Sequence, residues 1–436
     1  MSNEATRVSK KGKEHALVPR VRFPEFRDGD AWQSLQLTEL YRFKRTNTLS
    51  RDKLNYEGGT VKNIHYGDIH TKFQTRFRVG GEYVPYVDPD VPVDSFNDNA
   101  FCEEGDIVLA DASEDLNDVG KAIEIVSLDG QQVVAGTHTI LATRHGAEPV
   151  VGFGGYLFQS AVVRAGIQKQ AQGAKVYGVS ANRISTIPVP LPPTPAEQRK
   201  IADCLGSLDD LIAAEGRKLA ALRNHKKGLM QQLFPREGEN RPRLRFPEFR
   251  DAGEWDRFLL ARLEDERRLE LGRGKVISHD DMRANPGPHP VYSSSVIDSG
   301  LMGTYGDYLF DEELISWSVD GGGHFFYRPK HKFSITNVSG FMRVLSDDIV
   351  CQFLAYQLQR LHASETFNYV QKAHPSVIRT LYAVGLPNPS EQHRIAECLS
   401  TLDAMIAGQV EKLDALRTHK RGLMQQLFPS PEEAEA

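Results

Sequence analysis

The chain carries residues able to do chemistry, but none stands in an arrangement that would do it. The densest acidic cluster, Asp111, Glu114, Asp115 and Asp118, lies between two apolar runs, IVLA and AIEIV. Carboxylates so spaced could hold a divalent metal. No histidine pair accompanies them, however, and Asp, Asn and Ser clusters ordinarily close turns by bonding their own backbone. The segment DGGGH at 320–324 has the glycines of a phosphate loop without its Lys-Ser/Thr ending. The four cysteines, Cys102, Cys204, Cys351 and Cys398, are too scattered for a disulfide framework or a zinc cluster. No nucleophile elbow, HExxH, Walker sequence or dinucleotide fingerprint occurs, and no methyltransferase or nuclease motif. The expectation is a chain with no catalytic residue and no metal, which acts by binding.

Composition narrows what it could bind. At 436 residues, with 40% hydrophobic and 25% charged residues, the chain is long enough for two or three domains with cores. A formal net charge of -5 disfavours a nonspecific nucleic-acid binder but leaves room for a sequence-specific one with local positive faces. No run of apolar residues is long enough to span a membrane. The first 20 residues lack the apolar core of a secretory signal and read as a disordered tail, so a cytoplasmic location is expected.

The elements that would position any binding residues come in two copies. Residues 195–235 and 389–429 are related by a constant offset of 194, with 26 of 41 positions identical. A second repeated segment, RFPEFRD, precedes Trp32 and Trp255. Such repeats rule out a single ordinary domain. Each long copy reads as one helix. It opens on Pro195 or Pro389 with an early glutamate, offers Thr194 or Asn388 as N-cap, and closes at Pro235 or Pro429. Cys204 and Cys398 are equivalent within it, which suits helix packing better than redox chemistry.

A heptad seam runs along both helices. In the first it comprises Ile201, Leu205, Leu208, Ile212, Glu215, Leu219, Leu222 and Lys226, continuing through Leu229 and Leu233. In the second it comprises Ile395, Leu399, Leu402, Ile406, Gln409, Leu413, Leu416 and Lys420, continuing through Leu423 and Leu427. So narrow a stripe wants one partner helix. A parallel pair would set Lys226 beside Lys420. An antiparallel pair centred near Leu219 and Leu222 sets Glu215 against Lys420 and Gln409 against Lys226, and is the expected arrangement. Seam packing leaves Met230, Gln231 and Phe234 unexplained, with their equivalents Met424, Gln425 and Phe428. A surface used twice, for two identical partner subunits, would explain them.

Between the repeated markers lie two long segments that resemble each other little, roughly 33–190 and 256–385. Glycines beside aromatics in YEGGT, RVGGEYVPYV and FGGYLF suggest short strands and tight turns. The prolines of SANRISTIPVPLPP forbid an interior helix, so 180–193 should leave the first segment extended. In the second segment, 290–310 and 313–337 alternate apolar and polar residues around glycine-rich turns, and CQFLAYQLQRL reads as a short amphipathic helix.

With these motifs in view, the chain resembles the DNA specificity subunit of type I restriction-modification enzymes. The resemblance rests on PAEQRKIA…LMQQLFP and its second copy, RFPEF before each module, GDIVLADASEDLNDVGKA in the first module and PVYSSSVIDSGLMG…YLF in the second. It implies an α+β fold: two mixed α/β target-recognition domains separated by two long antiparallel coiled-coil helices, pseudo-twofold symmetric. The divisions expected are a tail (1–20), a first recognition domain (21–194), a long helix (195–235), a second recognition domain (236–388), a second long helix (389–429) and a tail (430–436). The resemblance also implies a non-catalytic subunit that reads a bipartite, asymmetric site in double-stranded DNA, one half per domain. Two methyltransferase subunits would dock on the helices and restriction (motor-nuclease) subunits would join. S-adenosylmethionine, ATP and Mg would belong to those partners, with no cofactor on this chain.

The resemblance does not transfer base contacts, because the modules vary. Loop residues with hydrogen-bonding side chains are the candidates. In the first module these are Lys62, His65, Lys72, Gln74, Arg76 and Arg78. In the second they are Ser293, Ser294, Ser295, His324, Arg328, Lys330, His331 and Lys332. Two other functional classes stay open, a structural coiled-coil adaptor with two non-DNA binding modules and an enzyme with an unrecognised site. Protection of duplex DNA in the presence of a methyltransferase partner would separate them from DNA reading.

Overall fold

The computed structural model describes residues 17–44, 46–92, 96, 100–146, 149–320, 322–363, 365 and 373–429. They form two compact units, one running to Glu215 and resuming at Lys412, the other comprising Gly216–Glu411. Each long helix, Pro195–Leu233 and Pro389–Leu427, therefore contributes one part to each unit. Residues 1–16 of the first expected tail and the whole of the second, 430–436, lie outside the described residues. The first tail ends sooner than residue 20, because buried Leu17 bridges Trp32, whose amide donates to the Leu17 carbonyl at 2.8 Å.

In the first unit the strand entering the module pairs with the strand leaving it: Gln33–Gln36 runs antiparallel to Pro188–Leu191. The prolines are tolerated because this ribbon has only two strands, leaving an edge where no N–H is needed. One short helix, Ala181–Ile184, interrupts the extended exit. The module holds a five-stranded sheet in the order Tyr41–Lys44, Thr139–Arg144, Ile107–Ala110, Ala122–Ser127, Arg76–Arg78. A four-stranded sheet runs Gln132–Ala135, Val61–Ile64, Tyr86–Val87, Leu54–Asn55. Both mix parallel and antiparallel pairs. IVLA and AIEIV are thus neighbouring central strands, and the acidic stretch between them is a turn in which Asp115 accepts the Asn117 amide at 2.8 Å.

The segment FGGYLF departs from expectation. It forms a buried helix, Gly154–Gln159, and its glycines serve close packing instead of turning the chain. A Cβ on Gly154 would lie 2.4 Å from the Tyr41 hydroxyl, and one on Gly155 would lie 3.0 Å from Thr75. Beneath them, Glu124 accepts the amides of Gly152 and Gly155 at 2.6 and 2.7 Å. Burial pushes its carboxyl up to about 7, although those amides and Arg76 and Arg144 favour the charged form. A carboxyl whose folded pKa is raised gives up its proton more readily in the unfolded chain. Its contribution to stability therefore falls as pH rises from the ordinary glutamate range towards about 7. Thermal unfolding followed across that window should show Glu124→Gln flattening the decline. An unchanged slope would show that Glu124 does not titrate as its burial implies.

The second unit has the same frame around a different sheet. Asp256–Leu259 pairs antiparallel with Ala383–Leu386. Six strands follow the order Leu269–Arg273, Ser339–Val344, Phe310–Ser318, Phe325–Ile335, His289–Tyr292, Leu301–Tyr305. The amphipathic helix expected at 351–361 is present as Cys351–His362 and is buried against this sheet.

Both long helices begin as their sequences indicate. The Glu197 amide donates to Thr194 Oγ1 at 3.2 Å and the Glu391 amide to Asn388 Oδ1 at 3.0 Å. The early glutamates have a second task. Arg22 forks onto both carboxylate oxygens of Glu197, each at 2.7 Å, and Arg245 does the same to Glu391 at 2.8 and 2.6 Å. All four side chains are buried. Gln198 and Gln392 accept the amides of Val150 and Val350, each at 2.9 Å. One set of helix-start contacts thus anchors two unlike modules.

The register inferred from seam polarity is overturned. In the first unit Lys420 pairs with Asp209 at 2.6 Å instead of Glu215, which is paired with Lys412. In the second, Lys226 pairs with Asp403 at 2.5 Å instead of Gln409, which is buried. Each partner lies six positions before the residue expected. The seam was an incomplete guide because its burial is uneven: Leu402, Gln409 and Leu413 of the second helix are buried, while much of the first helix's middle is not. Ile201 and Leu205 pack with Leu427 and Phe428, and Ile395 and Leu399 with Leu233 and Phe234, whereas Leu208, Ile212, Leu219 and Leu222 stay half-buried. The lysines reach aspartates already held by tyrosines of the modules, a partner that seam polarity alone does not reveal.

Candidate nucleic-acid interface

In the first module, basic and aromatic side chains gather around the short helix Tyr66–Thr71. Its N-cap is His65, whose Nδ1 accepts the Gly67 amide at 3.2 Å. Burial, then the nearby Arg51 charge, holds the imidazole below its ordinary pKa, consistent with this acceptor role. One turn on, Asp68 is buried and binds Arg51 at 2.5 Å and Lys72 at 2.8 Å. Its burial alone would raise the carboxyl, but those two cations hold it below the usual range. Arg51 and Lys72 also donate to the Tyr56 hydroxyl at 3.0 and 3.1 Å. The Tyr56 ring stacks on Tyr83 with centroids 4.3 Å apart, and Tyr83 is 70% exposed. Two cations flanking an exposed stack of rings can meet a phosphate backbone and a base or sugar face together.

The sequence candidates divide around this patch. Lys72 belongs to it, His65 caps its helix, and Gln74 and Arg78 are exposed nearby in the chain. Lys62 is buried, its ammonium 5.1 Å from the Tyr86 ring centroid. Arg76 turns towards the first long helix, where a Cβ on Gly206 would meet its guanidinium at 1.8 Å. Arg51, Tyr56 and Tyr83 were not anticipated. The strand pair Leu54–Asn55 with Tyr86–Val87 brings the two tyrosines together, and no local pattern reveals that pairing.

In the second module Arg328 is buried and organises a loop in place of reading from one. It donates to Ser316 Oγ at 2.9 Å and to the Ser299 carbonyl at 2.6 Å, and lies 3.7 Å from the Tyr292 ring centroid. Burial lowers its pKa to about 10. The loop it holds runs from Ser293 to Leu301. Asp298 and Ser299 have φ of 48° and 53°, a left-handed conformation costly for non-glycine residues. The loop closes through the Ser293 amide on the Gly300 carbonyl at 2.7 Å and presents Ile297 at 73% exposure. Ser295 accepts the Ile297 amide and Ser293 accepts from Thr336, so both hydroxyls are partly engaged in shaping the loop, while Ser294 is half-buried. On the strand behind, Lys330 and Lys332 are exposed, and His331 stacks on Phe333 at 4.5 Å. His324 is set apart, against His362. Replacing Arg328 with Met keeps bulk but removes the bond to the loop at Ser299 and the bond to Ser316 on the strand Phe310–Ser318. DNA affinity should fall at least about tenfold, the scale of a lost hydrogen bond to a charged group. Retained affinity in a fluorescence anisotropy titration would show that the loop does not depend on it.

The residues proposed to bind partner subunits are placed mostly inward. Phe234 packs against Trp255 and Phe353, and Phe428 against Trp32 and Phe153, all in the cores. Burial removes both phenylalanines from any exposed docking face. Met230 and Met424 are half-buried at the same cores, and Gln231 and Gln425 are exposed.

Among the described residues no group of three or more His, Cys, Asp or Glu could hold a metal ion, and no helix is long and apolar enough to cross a membrane. A family model for the type I restriction modification DNA specificity domain matches residues 269–417. A Mycoplasma pneumoniae protein, named as the N-terminal part of a type I specificity subunit, is 38% identical over 136 residues, 30% of this chain and 72% of that one. The specificity subunit of the type I restriction enzyme MpnII, from the same organism, is 30% identical over 150 residues, 34% of this chain and 44% of its own length. The solved S subunit of a type I restriction-modification system from M. genitalium aligns with a TM-score of 0.62 over 95% of this chain and all of its own, at 14% identity. A second solved structure, concerned with assembly and conformational transition of the type I system, aligns with a TM-score of 0.51 over 92% of this chain and 98% of its own, at 14% identity. The likeness to both structures is one of fold.

Proposed function

The chain belongs to the type I restriction-modification specificity subunits, and we propose from this that it reads a bipartite, asymmetric DNA site, one half through each recognition domain. The observation that carries the proposal is one anchoring frame holding two unlike modules. The frame repeats down to the Arg22–Glu197 and Arg245–Glu391 forks, while the sheets it holds differ in strand number and order. A frame kept constant around variable inserts suits two readers of different words. In this reading residues 21–194 and 236–388 are the recognition domains. Lys72, Gln74 and Arg78, with Arg51, Tyr56 and Tyr83, face one half-site. The Ser293–Leu301 loop, with Lys330 and Lys332, faces the other. Two methyltransferase subunits dock on the helices, with restriction subunits joining them in the cytoplasm. S-adenosylmethionine, ATP and Mg reside on those partners.

Selection from a randomised duplex pool by the complex with its methyltransferase tests this reading. One gapped motif with unlike halves is the expected product. A continuous motif, or none, would contradict it.

The helices should also set the gap. The unit boundaries fall at Glu215/Gly216 and Glu411/Lys412. Seven residues inserted at both places lengthen each helix by about 10 Å, close to three base-pair rises of about 3.4 Å. The selected motif should keep its half-sites and gain about three base pairs of spacer. An unchanged gap in an active complex would show that the helices are not the ruler.

A further inference from the structure

A three-residue contact recurs in both units, where the modules meet the long helices. In the first unit the Tyr156 hydroxyl donates to Asp209 Oδ2 at 2.7 Å, and Lys420 Nζ donates to Asp209 Oδ1 at 2.6 Å. The same ammonium lies 5.2 Å from the Tyr156 ring centroid. In the second unit Tyr356 donates to Asp403 Oδ2 at 2.7 Å, Lys226 to Asp403 Oδ1 at 2.5 Å, and the ammonium lies 5.0 Å from the Tyr356 ring. One carboxylate thus joins three elements: a module, the helix that bears the aspartate, and the other long helix.

The aspartates and lysines are repeat-equivalent. The tyrosines correspond as well: Val150, Phe153 and Tyr156 meet Gln198, Phe428 and Asp209 as Val350, Phe353 and Tyr356 meet Gln392, Phe234 and Asp403. Tyr156 lies in the six-residue helix Gly154–Gln159 and Tyr356 in the twelve-residue helix Cys351–His362. Modules whose sheets differ in strand number and order thus share one anchoring segment.

Position along the helix indicates what the contact does. Each module is already tied to a helix start through Arg22–Glu197 or Arg245–Glu391. The aspartate follows that glutamate by twelve residues, about 18 Å along the axis. The amide holds, Val150 on Gln198 and Val350 on Gln392, lie at the same helix start, so of these polar holds the aspartate is set furthest along the helix and has the greatest leverage on the module's heading. The carboxylates are only partly buried, with side-chain exposures of 27% for Asp209 and 43% for Asp403, so they are not core staples.

We propose that Tyr156–Asp209–Lys420 and Tyr356–Asp403–Lys226 are positioning clasps, which fix the heading of each recognition module on its helices and thereby set how strictly the gap between DNA half-sites is read. The proposal rests on the DNA-reading function above. Tyr→Phe substitution removes only the hydroxyl and keeps the ring beneath the ammonium, so the fold should survive.

The test uses the full complex with its methyltransferase subunits, carrying Tyr156→Phe, Tyr356→Phe or both. Methylation rates are measured on duplexes with the selected half-sites at the native gap, one base pair shorter and one longer. Melting temperature is followed in parallel, and Lys420→Arg serves as the conservative control that keeps the charge. In the double variant the preference for the native gap should fall by about tenfold or more, the scale of a hydrogen bond to a charged group. Each single variant should lose less, Lys420→Arg should retain the preference, and the rate at the native gap should change little. A merely structural role would lower melting temperature and slow all duplexes alike, which would overturn the clasp. A selective wild type with an equally selective double variant also overturns it, leaving the DNA-reading function intact. A wild type with no gap preference overturns both.

Discussion

Replacing residues 33–190 with the corresponding module of a related subunit is expected to change one half of the recognised site completely and leave the other half as it was. The structure makes the exchange practicable. The cut points fall in a paired ribbon, Gln33–Gln36 against Pro188–Leu191, so both new junctions are held by backbone bonds independent of side-chain identity. The module meets the frame through a shared apolar core, in which Phe153 stacks on Phe428, and through a small number of polar contacts. The fork of Arg22 on Glu197 lies outside the exchanged segment, and the graft needs an amide to meet Gln198 and a tyrosine to meet Asp209. Motif determination by methylation-sensitive sequencing of a host carrying the chimera is the readout. A change in both halves, or in neither, would show that the modules do not read separately.

The second large effect concerns the buried forks. Arg22→Ala or Arg245→Ala leaves Glu197 or Glu391 as a carboxylate with 1% side-chain exposure and no cation. Breaking a buried pair in this way costs about 3–5 kcal/mol, far more than the net contribution of the intact pair. Lysine should rescue poorly, since it cannot fork onto both oxygens and also reach the carbonyls each arginine meets, Gly29 and Asp30 or Ala252 and Gly253. Urea unfolding of the purified chain measures the cost, and a loss below about 1 kcal/mol would indicate that water solvates the carboxylate after all. The two forks differ in one respect. The Trp32 indole also donates to Glu197 at 3.1 Å, whereas the Trp255 indole nitrogen is buried with no hydrogen-bond partner among the described residues.

What could be read from the sequence follows physical range. The long helices were legible from end to end because their signals are local: prolines at both ends, N-cap side chains and an apolar period. Their pairing direction was legible from charge. Their register was not, because the aspartates that receive Lys226 and Lys420 are set by tyrosines some fifty residues away in the chain. The buried helix at Gly154–Gln159 was misread for a similar reason. Paired glycines look alike whether they turn the chain or admit a close neighbour such as Tyr41. Among the candidate readers, residue type marked Lys72, Lys330 and Lys332 as exposed cations, but it could not tell them from Lys62, Arg76 and Arg328, which face inward. An arginine in a loop-rich stretch carries no local sign of the hydroxyls and carbonyls that will bury it. The stacked Tyr56 and Tyr83 were hidden because a strand pairing assembles them.

The central claim is that this chain alone chooses one gapped DNA sequence for a complex whose chemistry lies elsewhere. Its most direct test is single-molecule methylation sequencing of the host genome, with and without this gene. The account predicts that one bipartite motif with unlike halves and a fixed gap is methylated when the gene is present and loses methylation when it is deleted, while every other modified motif is unchanged. A methylome that is identical in both strains, under conditions where the partner methyltransferase is expressed, would contradict it.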